Sequence, residues 1–305
     1  MEGTLNFSPD PVEIAREEGL RRRKRAKALK IAGKTGSYLF LTALVVVFLF
    51  PVLVMFCLSI LSDKEIALQV LFSPTGTINI GTYLKLFMGG SSYLRYLLNT
   101  LLVALITTVG IPLVSSLCAY GFAKMEFAGK EIVFGIVLGT MMIPAVVSIV
   151  PLYTLYAKLG WLDTLFPMWV PSLFGGGATN IFLMRQFMRG IPNDMIKAAK
   201  LDGANSFIIY LEFMLPLCLP ILLYVAVQSF MGTWNDFMTP FTYLSYGSKS
   251  MTLALGIFQD YGPGSKKLAN EAMAAGVVMT LPCAVLFFCF QKYLIDGVAV
   301  TGMKD

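Results

Sequence analysis

Six stretches of this chain contain no Asp, Glu, Lys or Arg and are long enough to cross a bilayer. They are residues 37–60, 97–122, 132–157, 166–184, 215–234 and 272–290, each 19 to 26 residues long. A helix needs roughly 20 residues to span the hydrocarbon. The chain is 56% hydrophobic and 14% charged, with a mean hydropathy of +0.71. A soluble domain of 305 residues has no interior large enough for that much apolar surface. Lipid offers no partner to backbone N–H and C=O groups, so each stretch must close its hydrogen bonds within a helix. The expected fold is all-α, a polytopic membrane protein with six transmembrane helices. Pro51, Pro112, Pro144, Pro151, Pro167, Pro171, Pro216, Pro220 and Pro282 lie inside these stretches, so the bundle is expected to be kinked and closely packed.

Charge sets the orientation. Nine Lys/Arg precede Ser37, five of them consecutive from Arg21 to Arg25. With that end in the cytoplasm, 17 basic residues fall on the cytoplasmic side and 7 outside, as the positive-inside rule requires. Residues 1–36 therefore read as a basic cytoplasmic arm, partly helical around 12–30, and 37–305 as the six-span domain. Both termini are cytoplasmic. The first apolar stretch exceeds a signal-peptide core and lacks a small-x-small cleavage site, so it reads as an uncleaved anchor. The net charge of +6 is assigned to topology and anionic lipid, not to nucleic acid.

Several chemistries are excluded. There is no histidine, which removes His-dependent triads and relays. The five cysteines, Cys57, Cys118, Cys218, Cys283 and Cys289, all lie in apolar stretches without metal-ligand spacing, so no metal site is expected. Gly33-Lys34-Thr35 resembles the end of a phosphate-binding loop, but the pattern needs Gly at position 28, which is Ala. It reads as a juxtamembrane turn, and the chain has no ATP site of its own. An ion-coupled secondary transporter would usually carry charges inside its spans, and these have none. A membrane-embedded enzyme would need a catalytic cluster, and none is visible.

The main polar interruption runs from Ile191 to Met214 on the cytoplasmic side. Pro192 suits a first helical turn, with Asn193 or Asp194 able to cap the free amides. Met195 to Leu201 reads as a short helix with Met195, Ala198 and Ala199 on one side. Gly203 permits a left-handed turn, and Asn205 or Ser206 can cap a second helix. Gln228 and Asn235, seven residues apart, share a helix face and are candidates to line a polar path. Trp234 reads as an aromatic surface for a ligand's ring or as an interfacial anchor. Gly175, Gly176 and Gly177 read as close-packing residues, with a hinge as the alternative. Tyr261, Gly262, Pro263 and Gly264 read as a protruding external turn.

The run Ala198-Ala199-x2-Asp202-Gly203-Ala204, with Leu215-Pro216 beyond it, resembles the coupling motif of importer-type ABC permeases. Phe213 stands where that motif has Ile, and Lys197 stands where it has Glu. Tyr120-Gly121-Phe122-Ala123, Leu159-Gly160-Trp161, Ile181 to Phe187, Trp234-Asn235-Asp236 and Gln291 to Leu294 extend the resemblance over roughly residues 37–305. The chain thus resembles carbohydrate-type permeases, in particular the second membrane subunit of maltose-type importers. That resemblance implies a coupling loop at about 186–214, with Met195, Lys197, Ala198, Ala199, Asp202, Gly203, Ala204 and Pro216 facing an ATP-binding cassette ATPase dimer. ATP and Mg would be held by that dimer. It further implies a homologous second permease, an extracytoplasmic solute-binding protein touching residues 261–264, a carbohydrate substrate, and residence in a bacterial or archaeal cytoplasmic membrane.

Overall fold

The computed structural model describes residues 11–67, 78–88, 92–262 and 269–302. In chain order the helices are α1 Pro11–Ser59, α2 Asp63–Ala67, α3 Gly81–Met88, α4 Tyr93–Lys124, α5 Lys130–Thr140, α6 Ala145–Lys158 and α7 Phe166–Trp169. A 3-10 turn at Pro171–Leu173 follows, then α8 Ala178–Arg189, α9 Asn193–Leu201 and α10 Ser206–Ile208. A π-helix at Ile209–Met214 leads into α11 Leu215–Leu217, α12 Leu219–Trp234, α13 Met238–Tyr243, α14 Leu253–Tyr261 and α15 Ala269–Gly302. Among the described residues there are no strands. The chain divides into two units at Cys57.

The first unit is the greater part of α1. From Tyr38 to Phe50 nearly every side chain is exposed on every face, the pattern of a helix surrounded by lipid or by partners. Gly33 to Thr35 lie inside α1, where the Ser37 hydroxyl donates to Gly33 O at 3.0 Å. The turn expected there is instead continuous helix, because a lone glycine weakens a helix without ending it.

The second unit is organised around α4. Its buried stripe includes Tyr93, Tyr96, Thr100, Ala104, Thr107, Ser115, Ser116 and Ala119, most of them small. Its outward stripe is Leu94, Leu98, Leu102, Leu105, Val109, Leu113 and Leu117. Small residues let neighbouring helices approach closely where lipid removes the hydrophobic drive to associate. The stripe's hydroxyls are not left bare: Thr100 donates to Tyr96 O, Thr107 to Val103 O and Ser115 to Ile111 O. α8 and α12 pack along this stripe.

Among the described residues, three helical segments are long and apolar enough to cross a membrane: Leu29–Ser59, Tyr93–Lys124 and Ala269–Gln291. Two bent pairs bring the number to five at most: Lys130–Thr140 with Ala145–Lys158, bent by 96°, and Ser206–Leu217 with Leu219–Trp234, bent by 77°. The first bend falls at Pro144, the second between Pro216 and Pro220, where missing amide donors interrupt the helix. The fourth expected span, 166–184, is not one helix. α7 runs through Val170 into the 3-10 turn, and Gly175, Gly176 and Gly177, at φ 95°, 71° and 90°, separate that turn from α8. These angles belong to glycine. A Cβ on Gly176 would also lie 2.7 Å from Ile111 O and 2.8 Å from the Ser115 Cβ. The triplet therefore both turns the chain and lets it approach α4.

Candidate coupling helix and path

α8 ends at Arg189, and Ile191-Pro192 turns the chain into α9. The helix starts at Asn193 with Pro192 as its cap residue, and no side chain caps it. The capping role expected of Asn193 is absent, since its Oδ1 accepts instead from Lys124 Nζ at 2.7 Å. The other end is closed by hydrogen bonds from Gly203 N to Lys200 O (3.1 Å) and from Ala204 N to Ala199 O (3.0 Å). That pairing is a Schellman motif, and Gly203 at φ 87° supplies its left-handed residue. Asn205 then caps the next segment, its Oδ1 accepting from Phe207 N at 3.0 Å and Ile208 N at 2.9 Å.

α9 presents two faces. Ile196 and Ala199 are buried with Met188, Ile209 and Met214, and Ala204 packs against them. Met195, Lys197, Ala198 and Asp202 are exposed, and Leu201 is 88% exposed. Ala199 thus lies against its own chain, a correction to the side assigned to it with Met195 and Ala198. Lys197 pairs with Asp194 at 3.1 Å on the same helix. Pro216 is exposed at the bend that follows the π-helix.

Two cations link this region to α4 and α5. Lys124, the last residue of α4, donates to Ile191 O at 2.6 Å as well as to Asn193. Arg185 on α8 is 5% exposed. Its Nη2 reaches both Glu131 oxygens at 2.9 and 3.1 Å, its Nε donates to Phe122 O at 3.3 Å, and its Cζ lies 3.9 Å from the Phe134 ring centroid. From sequence, Arg185 stands only within the run Ile181 to Phe187, and neither cation is assigned a role. A signal for Arg185 was present, since it stands in the inward stripe of Ile181, Met184 and Met188.

Gln228 on α12 and Asn235 at its C-terminal cap are exposed on the side of half-buried Tyr224. Gln228 Nε2 donates to the Tyr224 hydroxyl at 3.4 Å, and Asn235 Nδ2 to Met231 O at 2.8 Å. Trp234 points the other way. It is 0% exposed, stacks on Phe230 at 5.5 Å between centroids, and donates its indole N–H to Met279 O at 2.8 Å. A ring so enclosed offers no face to a sugar and anchors no interface, so its role is packing. At the same end, Asp163, at φ 63°, accepts from Ser245 N at 2.9 Å through Oδ1 and donates its own N–H to Tyr243 O at 3.0 Å. Tyr261 donates its hydroxyl to Glu271 on α15 at 3.2 Å, and burial, with Glu271 beside it, holds the phenol well above its ordinary range. Tyr261 is thus tied to its own chain, and Gly262 continues in extended backbone. Pro263 and Gly264 lie outside the described residues.

The fold is that of a helical membrane protein with several segments long and apolar enough to cross a bilayer. Its sequence matches the family described as binding-protein-dependent transport system inner membrane component over residues 111–300, and the chain belongs to that family. It is therefore a permease subunit of a binding-protein-dependent ABC importer. It is 32% identical to the arabinooligosaccharides transport system permease protein AraQ of Bacillus subtilis, over 87% of this chain and 94% of that protein. It is 29% identical to the maltodextrin permease MdxG of the same organism, over 92% and 99%. The trehalose/maltose permease MalG of Thermococcus litoralis is 26% identical, over 85% and 92%. A crystal structure of a bacterial ABC transporter that imports the acidic polysaccharide alginate shares the fold, with a TM-score of 0.75 at 22% identity, over 87% of this chain and 96% of that one.

Proposed function

We propose that this chain imports a sugar or oligosaccharide by alternating access, driven by ATP and Mg bound on a separate ATPase dimer. The observation that carries this reading is α9, a short helix closed by the Gly203 motif, seated on Ile196 and Ala199, with Met195, Ala198 and Leu201 turned outward. Small and flexible apolar side chains at an exposed knob suit insertion into a partner cleft. Closure of the ATPase dimer would draw α9 toward its counterpart on a homologous second permease. The pair would then switch from inward- to outward-facing. A solute-binding protein would deliver substrate from outside, near residues 261–264.

The relatives support the substrate class, since their names record transport of arabino-oligosaccharides, maltodextrin and trehalose or maltose. Gln228 and Asn235 are the groups of this chain that would line the path, as exposed amides suited to sugar hydroxyls. The charge asymmetry supports a bacterial or archaeal cytoplasmic membrane with both termini and 186–214 inside. Two bent segments and the broken fourth stretch are compatible with a bundle that opens to either side.

The test is reconstitution of the four-subunit complex with its binding protein. ATP hydrolysis stimulated by arabino-oligosaccharide or maltodextrin, with uptake of the same sugar, is the expected result. Failure of an ATPase to co-purify would overturn the reading.

A further inference from the structure

We infer that Lys124 and Arg185 are positioning residues that lock the coupling helix to the cytoplasmic-side ends of α4 and α5, so that force on α9 moves them as one body. This rests on α9 being the element the ATPase engages. Lys124 grips both residues flanking Pro192, Ile191 through its carbonyl and Asn193 through its side chain. These are the points at which the chain enters α9. Arg185 holds Phe122 of α4 and Glu131 and Phe134 of α5 from its place on α8.

A long cation at a helix end ordinarily extends its charge into water. These two instead turn onto acceptors 54 to 69 residues away in sequence. A guanidinium this enclosed is costly unless fully partnered, so Arg185 fixes the spacing of three elements at once. Its planar fork reaches a carboxylate and a carbonyl in one fixed geometry, which the flexible point charge of an ammonium holds less rigidly. From α4 the contact continues to α12, where the Thr107 and Thr233 hydroxyls meet at 2.9 Å. Five residues from Thr233, toward the N-terminus of α12, is exposed Gln228.

The two cations also differ from a general stabiliser in what their loss leaves behind. The Glu131 side chain is 69% exposed, so without Arg185 its carboxylate is hydrated rather than stranded. Asn193 is likewise exposed. Replacing both cations should therefore free the elements without unfolding them.

The experiment uses the full transporter in nanodiscs, trapped with ADP and vanadate. It reads the rate of maleimide labelling at Gln228→Cys above that of the parent lacking this cysteine. Trapping is expected to change that rate by about fivefold or more, within the usual range of coupling between sites. With Arg185→Met and Lys124→Met together, the ATPase should still co-purify while the change falls below about twofold. Arg185→Lys, which keeps the charge, should give an intermediate change. A double variant that assembles and keeps the full change overturns the inference, as does full retention by Arg185→Lys. So does loss of ATPase binding in the double variant, which would make the cations assembly residues. No change on trapping in the unmodified Gln228→Cys complex would instead overturn the coupling reading, and this inference with it.

Discussion

The two buried clusters of the second unit are built from different materials. Around α9 the cluster contains Ala119, Met184, Met188, Ala199 and Met214, with Tyr120 and Tyr210 as its aromatics. At the other end it contains Tyr93, Tyr96, Phe230, Trp234, Leu253 and Leu255. Unbranched methionines re-pack readily, whereas aromatic rings hold one arrangement through area and a polar tip. The fastenings differ in the same sense. Lys124 and Arg185 hold the α9 end. Amides, hydroxyls and carboxylates hold the other: Asn99 Nδ2 to Lys249 O and Met251 O, both at 2.9 Å, Leu253 N to Thr100 Oγ1 at 2.8 Å, and Ser245 N to Asp163 Oδ1 at 2.9 Å. One end suits displacement and re-seating, the other a fixed frame.

The strongest way to break this comparison is Trp234→Ala. It should destabilise the frame by about 3–5 kcal/mol, the usual cost of deleting a buried aromatic, seen as a lower unfolding temperature in detergent. An equal loss from Met184→Leu, a nearly volume-conserving change worth under about 1.5 kcal/mol, would erase the contrast. Gly203→Val comes next. Nothing lies within 4 Å of its would-be Cβ, so the cost is backbone strain alone, about 1–3 kcal/mol. Membrane insertion should survive while sugar-stimulated hydrolysis and uptake collapse; normal uptake would remove Gly203 from the docking knob.

Asn205→Ala should cost about 1 kcal/mol by removing the cap, read as faster amide exchange at Phe207 and Ile208. Lys197→Glu should change stability least, within about 0.5 kcal/mol, because its pair with Asp194 is solvent-exposed. Its informative effect is on coupling. If the native ATPase is matched to a cation here, the variant should lower uptake at unchanged assembly. Unchanged uptake would place this side chain in water.

Local chemistry made the α9 turn legible in advance. Gly203 and Asn205 each had one mechanism available, and both use it. Long-range partners were not legible. Asn193 had two possible uses, capping its own helix or accepting from Lys124, and the second depends on where α4 ends. Arg185 counted as a charge beyond an apolar run, although its spacing from Ile181 and Met188 placed it inward. Three glycines at 175–177 read as packing residues, with a hinge as the alternative, in a continuous span. An apolar, uncharged count cannot distinguish that span from two short helices with a turn between them. Trp234 shows the limit of polarity arguments, since Gln228 and Asn235 beside it face outward while it faces the core.

The π-helix at Ile209–Met214 bears on how the length of this segment can vary. Each residue added to or removed from an α-helix rotates everything beyond it by about 100°. The interval between Gly203 and Pro216 therefore sets which way α9 points relative to α12, and an arbitrary insertion there would turn the knob away from its mate. A π-turn is an α-helix holding one surplus residue. Deleting one residue within 209–214 would let that turn close to ordinary α geometry while the flanking segments keep their bearing.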